Sequence, residues 1–214
     1  MIKIDLHTHS AASSDGGISL DSYKKIIKNK ELDYIAITDH NRIDFAQEAK
    51  EILGENIIVG EEIMTQSGEI IGLYLKELIP KNLPLIETIE LIKSQNGLVY
   101  IPHPMEKVRK GISKIDLEKI VNNIDIIEVI NGRAFLGKKT SIAGEFAHQH
   151  LLTGCASSDS HGKNDWGRTY SVLKQKPTRD TLVKLLSNND FYYKKPTIRA
   201  ILYPKYNKLK KVLL

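Results

Sequence analysis

A single cysteine, Cys155, stands in a chain of 214 residues, so no disulfide can form within it. No apolar run approaches the length of a membrane span. The first residues lack the basic start and apolar core of a secretory signal, and a soluble cytoplasmic protein is expected. Repeats and low-complexity tracts are missing as well. Acidic residues are absent from one end: residues 191–214 hold Lys194, Lys195, Arg199, Lys205, Lys208, Lys210 and Lys211 and neither Asp nor Glu. Removing these seven cations from the formal charge of +5 leaves residues 1–190 at −2. The high isoelectric point therefore belongs to this tail and says little about a site in the body.

What is present is an alternation of short apolar runs with longer amphipathic ones. The spacing predicts strands ending at Leu6 and over 34–38, 98–101, 124–130 and 153–157, and helices over 18–30, 43–53, 85–95, 115–122, 143–151 and 178–187. Residues 56–63 and 69–75 flank Gln66-Ser67-Gly68 and read as two strands joined by a tight turn. Such a rhythm argues for parallel strands covered by helices. About seven short buried strands favour a closed or nearly closed α/β barrel over an open sheet. The expected organisation is one barrel domain over 1–190 and a basic tail over 191–214.

In such barrels chemistry sits at the C-terminal ends of the strands, and the polar residues of this chain fall there. His7 and His9 lie two apart at the end of the first strand. Alternate strand residues face the same way, so the two imidazoles converge as a pincer for a metal. His40 ends the second strand and Glu62 lies on the third. His103 follows the strand 98–101, Asp159 and His161 follow the strand 153–157, and Asp15 sits in the turn-like loop after the first strand. Five of the seven histidines thus end an expected strand. His148 and His150 repeat the His-x-His spacing, but within a helical stretch. Residues two apart are about 200° apart around a helix, so these two cannot share an ion.

The order of motifs Asp5-Leu6-His7-Thr8-His9-Ser10, Ser14-Asp15-Gly16, Thr38-Asp39-His40-Asn41, Gly60-Glu61-Glu62, Pro102-His103-Pro104 and Ser158-Asp159-Ser160-His161 resembles the PHP family, the polymerase and histidinol phosphatase superfamily. The resemblance spans residues 1–175. It implies a distorted seven-stranded (β/α)7 TIM-like barrel with two or three divalent ions at the C-terminal ends of the strands, ligated by His7, His9, Asp15, His40, Glu62, His103, Asp159 and His161. Many relatives open the strand after the glutamate with a His. This chain has Glu69 there, and a carboxylate would soften the preference for zinc toward manganese or iron. Neighbouring strand residues face opposite ways, so Glu61 is expected to be a surface or salt-bridging residue and Asp39 a supporting or capping one.

The implied chemistry is hydrolysis of phosphate esters, monoester or diester. Water held by the metal ligands would be acidified to give hydroxide near neutral pH. Arg133, in the strand-end loop Asn131-Gly132-Arg133, is the best phosphate clamp, since a guanidinium can engage two phosphate oxygens. Asn131 and Arg168 are further candidates for substrate contact, although the segment around Arg168 also reads as loop packing. Cys155, inside a strand, belongs to the core. Nucleotides or the 5′ ends of short RNAs are the leading substrates, because compact relatives include nucleotide phosphatases and 5′ to 3′ exonucleases. Histidinol phosphate or another small phosphate ester is an alternative. So is an amidohydrolase, which also opens with His-x-His but would not carry the His40 motif, and so is a metal-binding module without catalysis. In the tail Tyr206, Leu209 and Leu213 recur at helical spacing beside lysines. RNA, an anionic membrane surface or plain solvent are its possible surroundings.

Overall fold

The computed structural model describes residues 1–134, 138–163 and 166–213. In chain order the elements are β1 (Ile2–Thr8), α1 (Leu20–Lys28), β2 (Tyr34–Ile37), α2 (Asp44–Leu53), β3 (Ile57–Thr65), β4 (Gly68–Leu73), α3 (Leu85–Ser94), β5 (Leu98–Ile101), α4 (Lys114–Ile120), β6 (Ile126–Asn131), α5 (Lys138–Gln149), β7 (Gly154–Ser157), β8 (Thr169–Leu173), α6 (Leu182–Leu186), β9 (Asp190–Tyr193) and α7 (Ile198–Leu213). The strands form one sheet in the order β7-β6-β5-β4-β3-β2-β1-β8-β9. β1, β2 and β3 are parallel, as are β5, β6 and β7, whereas β4 runs against both its neighbours.

The free edge of β7 curls back to β1. Thr8 bridges Ser160, the His9 amide donates to the Ser160 carbonyl at 2.8 Å, and the Ser158 amide reaches Asp5 Oδ1 at 3.0 Å. The result is a nearly closed α/β barrel, as expected. Its sheet has nine strands among the described residues rather than seven, because β8 and β9 extend β1 as an antiparallel pair. β8 escapes sequence reading because two of its three buried positions, Thr169 and Ser171, look like loop residues and only Leu173 is apolar; Ser171 Oγ accepts from the Ala156 amide at 2.9 Å and so helps hold β7.

Each strand face has its own apolar partner. Tyr23 and Ile26 of α1 and Ala46 and Ala49 of α2 pack on Ile35 and Ile37 of β2. α3, α4 and α5 cover β4 to β6 through Ile89, Ile92, Leu117, Ile120 and Phe146. Ile4, Leu6, Ala36, Leu73, Tyr100, Ile126 and Cys155 form the inner cluster with Leu182 and Leu186 of α6. Arg179 binds the carbonyls of Asn96 and Gly97 just before β5, and Asn189 that of Gly154 at the start of β7. α6 therefore plugs the end of the barrel where those strands begin, and the opposite end is left open.

The β3–β4 hairpin matters most for that open end. Thr65 pairs with Gly68 across Gln66 and Ser67, and Thr65 Oγ1 donates to the Gly68 carbonyl at 2.6 Å. Gly68 has a φ of +126°, and a Cβ there would meet the Lys110 carbonyl at 2.6 Å, so only glycine fits. Because β4 is reversed, its first residues lie beside the C-terminal ends of its neighbours. No helix among the described residues is long and apolar enough to cross a membrane.

Candidate metal centre

The residues singled out by spacing come together at the open mouth. Nε2 of His7 and of His9 are 3.1 Å apart, and each lies near Glu62 Oε2, at 3.4 and 3.3 Å. Asp159 Oδ1 is 3.8 and 3.6 Å from the same two nitrogens. His103 Nε2 is 2.9 Å from Glu62 Oε1, and His40 Nδ1 is 3.2 Å from Glu62 Oε2. Asp15 is 3.5 Å from both His40 Nε2 and His161 Nε2. Glu69, at the start of the reversed strand, is 3.5 Å from His40 Nδ1. Four overlapping groups of His and carboxylate atoms result, and between them they take in His7, His9, Asp15, His40, Glu62, Glu69, His103, Asp159 and His161.

The backbone is bent to bring this about. Asp159 and His103 both have positive φ, 52° and 28°, a region that costs a non-glycine residue about 1–3 kcal/mol. Both sit just past a strand end, where the turn aims the side chain back over the barrel. Gly16 closes the Asp15 loop against the carbonyls of His9 and Ser10, which a Cβ would strike.

The donor set suits divalent ions. Burial and the neighbouring His161 hold the His9 imidazole down to about 3, so it presents a neutral ring, the form that ligates. Burial opposes charge on His40, but Glu62 and Asp15 outweigh it and carry it to about 9. Burial and the adjacent Glu62 push Glu69 up to about 8. Two carboxylates so close in low dielectric call for positive charge between them.

A supporting layer orients these groups. Glu128 on β6 is buried and accepts from Tyr100 Oη at 2.7 Å, the His103 amide at 2.6 Å and Asn131 Nδ2 at 2.8 Å. Its Oε1 also lies 3.2 Å from His7 Nδ1, which leaves Nε2 of His7 free to face the cluster. Sequence reading passed over Glu128. The signal was there, a lone carboxylate in the buried run Ile126-Ile127-Glu128-Val129-Ile130, because such a charge needs partners. Asp39 caps as expected, accepting the Ser10 amide at 2.6 Å and the Ser10 hydroxyl.

Some expectations are corrected. Glu61 is not at the surface: it is fully buried, its Oε2 accepting the Ile79 amide at 3.0 Å. Asn131 is buried, with its amide committed to Glu128, Asp159, Arg109 and the Arg133 backbone, and so acts as a brace. Arg168 binds the Lys195 carbonyl at 2.5 Å, outside the cleft. His148 is exposed and His150 lies against Phe146, and neither enters a metal-competent group among the described residues.

Over the cluster is a cleft of about 290 Å³. Arg133 reaches it, with Nη1 3.4 Å from Asp159. Arg109, which sequence reading missed, is closer: Nη1 is 2.8 Å from Asp159 Oδ2 and Nη2 is 2.7 Å from Glu106. Its signal was the basic run Lys107-Val108-Arg109-Lys110, two residues past Pro102-His103-Pro104. The far wall is α7, through Ile201, Pro204, Lys205 and Lys208. Asn207 fastens that helix by donating to the carbonyls of Asp15 and His161 at 2.8 and 3.0 Å, and Lys211 Nζ donates to those of Ala11, Ser13 and Gly16.

The model of the PHP domain matches residues 5–213, which includes α7. The chain belongs to the PHP domain family. Among its relatives are the Methanocaldococcus jannaschii proteins MJ1587, 39% identical over 145 residues (61% of this chain, 82% of that protein), and MJ0417, 32% identical over 173 residues (79% and 69%). In structure it is similar to a two-domain Bacteroides vulgatus protein containing a predicted PHP-like metal-dependent phosphoesterase. That match has a TM-score of 0.71 at 21% identity and covers 97% of this chain and 69% of that one. It is also similar to PfuEndoQ, a lesion-specific endonuclease of Pyrococcus furiosus, with a TM-score of 0.57 at 14% identity, covering 89% and 57%.

Proposed function

We propose that this PHP domain hydrolyses phosphate esters, with nucleotides or the 5′ ends of short RNAs as substrates. The observation that carries the reading is the convergence of nine His and carboxylate side chains beneath a cleft edged by arginine. His7, His9, Asp15, His40, Glu62, Glu69, His103, Asp159 and His161 would hold two or three divalent ions, manganese, iron or zinc. Bound there, such ions supply positive charge for the phosphoryl oxygens and lower the pKa of a water toward neutrality.

The chain's own groups do the rest. Arg133, half-buried at the end of β6, is positioned to donate to two phosphoryl oxygens at once and to neutralise charge as it grows in the transition state. Glu128 keeps His7 in one tautomer, and Asn131 with Arg109 keeps Asp159 from turning. No serine or cysteine nucleophile is invoked; Cys155 is buried, and burial raises its thiol well above the ordinary range. A nucleic-acid substrate is supported by the cationic rim of Arg109, Lys110, Lys205 and Lys208 and by the likeness to a nuclease. Elemental analysis of purified protein, combined with a phosphate-release screen over nucleotides, short RNAs, histidinol phosphate and sugar phosphates, tests this. Metal with hydrolysis of amides but of no phosphate ester would reject it, and metal with neither would mark a binding module.

A further inference from the structure

Helix α7 has two faces, and only one is explained by the barrel. Ala200, Pro204 and Asn207 are buried and Lys211 is spent on three loop carbonyls, so these four mark the inner side. At about 100° per residue, Ile198, Leu202, Tyr206, Leu209 and Leu213 fall on the opposite side, within one stripe. They are 73%, 51%, 60%, 61% and 75% exposed. A helix packed on one side ordinarily turns polar residues outward, and this one turns four aliphatic residues and a tyrosine to solvent along its length.

Charge flanks the stripe. Arg199 and Lys210 fall along one side of it and Lys205 and Lys208 along the other, and residues 191–214 contain no carboxylate. A groove of about 600 Å³ opens beside it, lined by Leu202, Tyr203 and Tyr206 together with the cations Lys163 and Arg199. Apolar side chains at the centre with Lys and Arg at both margins let a helix lie in an interface, its aliphatic face among acyl chains and its long basic side chains reaching the headgroups.

We infer that the outer face of α7 docks the protein flat on an anionic lipid surface. Two other occupants satisfy only half of the pattern. A second copy would bury the stripe but set two helices without carboxylates side by side, cation against cation. RNA would engage the cations but leave Ile198, Leu202 and Leu209 in water. An anionic bilayer answers both, and because the inner face of the same helix lines the cleft, docking would hold the mouth beside the membrane. This inference stands apart from the phosphoesterase reading and does not need it.

The test is co-sedimentation of the full chain with vesicles of phosphatidylglycerol mixed with phosphatidylcholine, against pure phosphatidylcholine. Binding to the anionic vesicles alone is expected, released by salt. Leu202→Ser/Leu209→Ser should reduce partitioning on the order of tenfold or more, and Arg199→Gln/Lys210→Gln about fivefold per cation removed. Both variants alter exposed side chains, and circular dichroism and melting temperature should match the parent. Absence of anionic-vesicle binding by the parent chain would overturn the inference. So would equal binding to both vesicle types, or a dimer in sedimentation velocity that Leu202→Ser/Leu209→Ser converts to monomer.

Discussion

Arg109 and His7 hold opposite oxygens of the same carboxylate. Asp159 Oδ2 is 2.8 Å from Arg109 Nη1, whereas Oδ1 faces the imidazoles of His7, His9 and His161 at 3.8, 3.6 and 3.4 Å. The guanidinium thus fixes which oxygen points at the cluster. Arg109→Ala is expected to weaken metal retention about ten- to a hundredfold and to cost about 1–3 kcal/mol of stability, since its charge-assisted bonds to Asp159 and Glu106 are lost while Arg133 stays beside Asp159. Metal titration and equilibrium denaturation measure the two effects separately. Metal affinity equal to the parent's would show that Asp159 holds its orientation unaided.

Ligand removal should separate the cluster from its look-alike. His7→Ala, His40→Ala and Asp159→Ala are each expected to lose metal and phosphatase activity together while retaining the circular dichroism of the parent. His148→Ala should lose neither. Metal analysis of the four proteins decides, and metal loss from His148→Ala would contradict the helical geometry of α5.

Glu128 offers a subtler probe. Glu128→Gln preserves shape but replaces an acceptor of four hydrogen bonds by a group with only one acceptor atom. His7 then loses its anionic partner, and a drop in metal affinity of about ten- to a hundredfold is expected. If calorimetry finds the affinity unmoved, His7 is oriented by other contacts.

The buried Glu61 should make stability depend on pH. Burial raises its pKa from 4.5 to about 7. The folded state therefore binds a proton that the unfolded state has released, and stability falls as pH rises through that window, by on the order of 2–3 kcal/mol. Glu61→Gln should flatten this part of the profile. Urea denaturation of metal-free protein at about pH 5 and about pH 8 compares the two, and parallel profiles would show that Glu61 ionises in the folded state at no cost.

Asn207 links the last helix to the site. Asn207→Ala leaves the carbonyls of Asp15 and His161 without their donor, at a cost of about 1–3 kcal/mol. A lower melting temperature with weakened metal binding is expected. Full metal affinity would mean the Asp15 loop keeps its shape without α7.

Much of this centre could be read from spacing because barrel geometry converts sequence position into place: a residue at a strand end is at the mouth whatever lies between. His7, His40, His103 and His161 needed nothing more. Glu69 was legible only as a resemblance, since its position depends on β4 being reversed, which periodicity does not encode. Arg109 and Glu128 were missed for opposite reasons. One lies in a loop whose path no pattern specifies, and the other is a single charge in an apolar run whose partners come from β1 and β5. β9 gave no burial signal, as Phe191, Tyr192 and Tyr193 are all partly exposed, and only its aromatic content hinted at a strand.

The bond from Asn207 to the Asp15 carbonyl spans 192 positions of chain. A ribosome releases residue 15 long before residue 207, so a nascent chain holds most of its ligand set while the loop carrying Asp15 still lacks its clasp. Completion of the centre therefore waits on the emergence of α7, and an ion captured earlier would meet an open and exchangeable set of ligands.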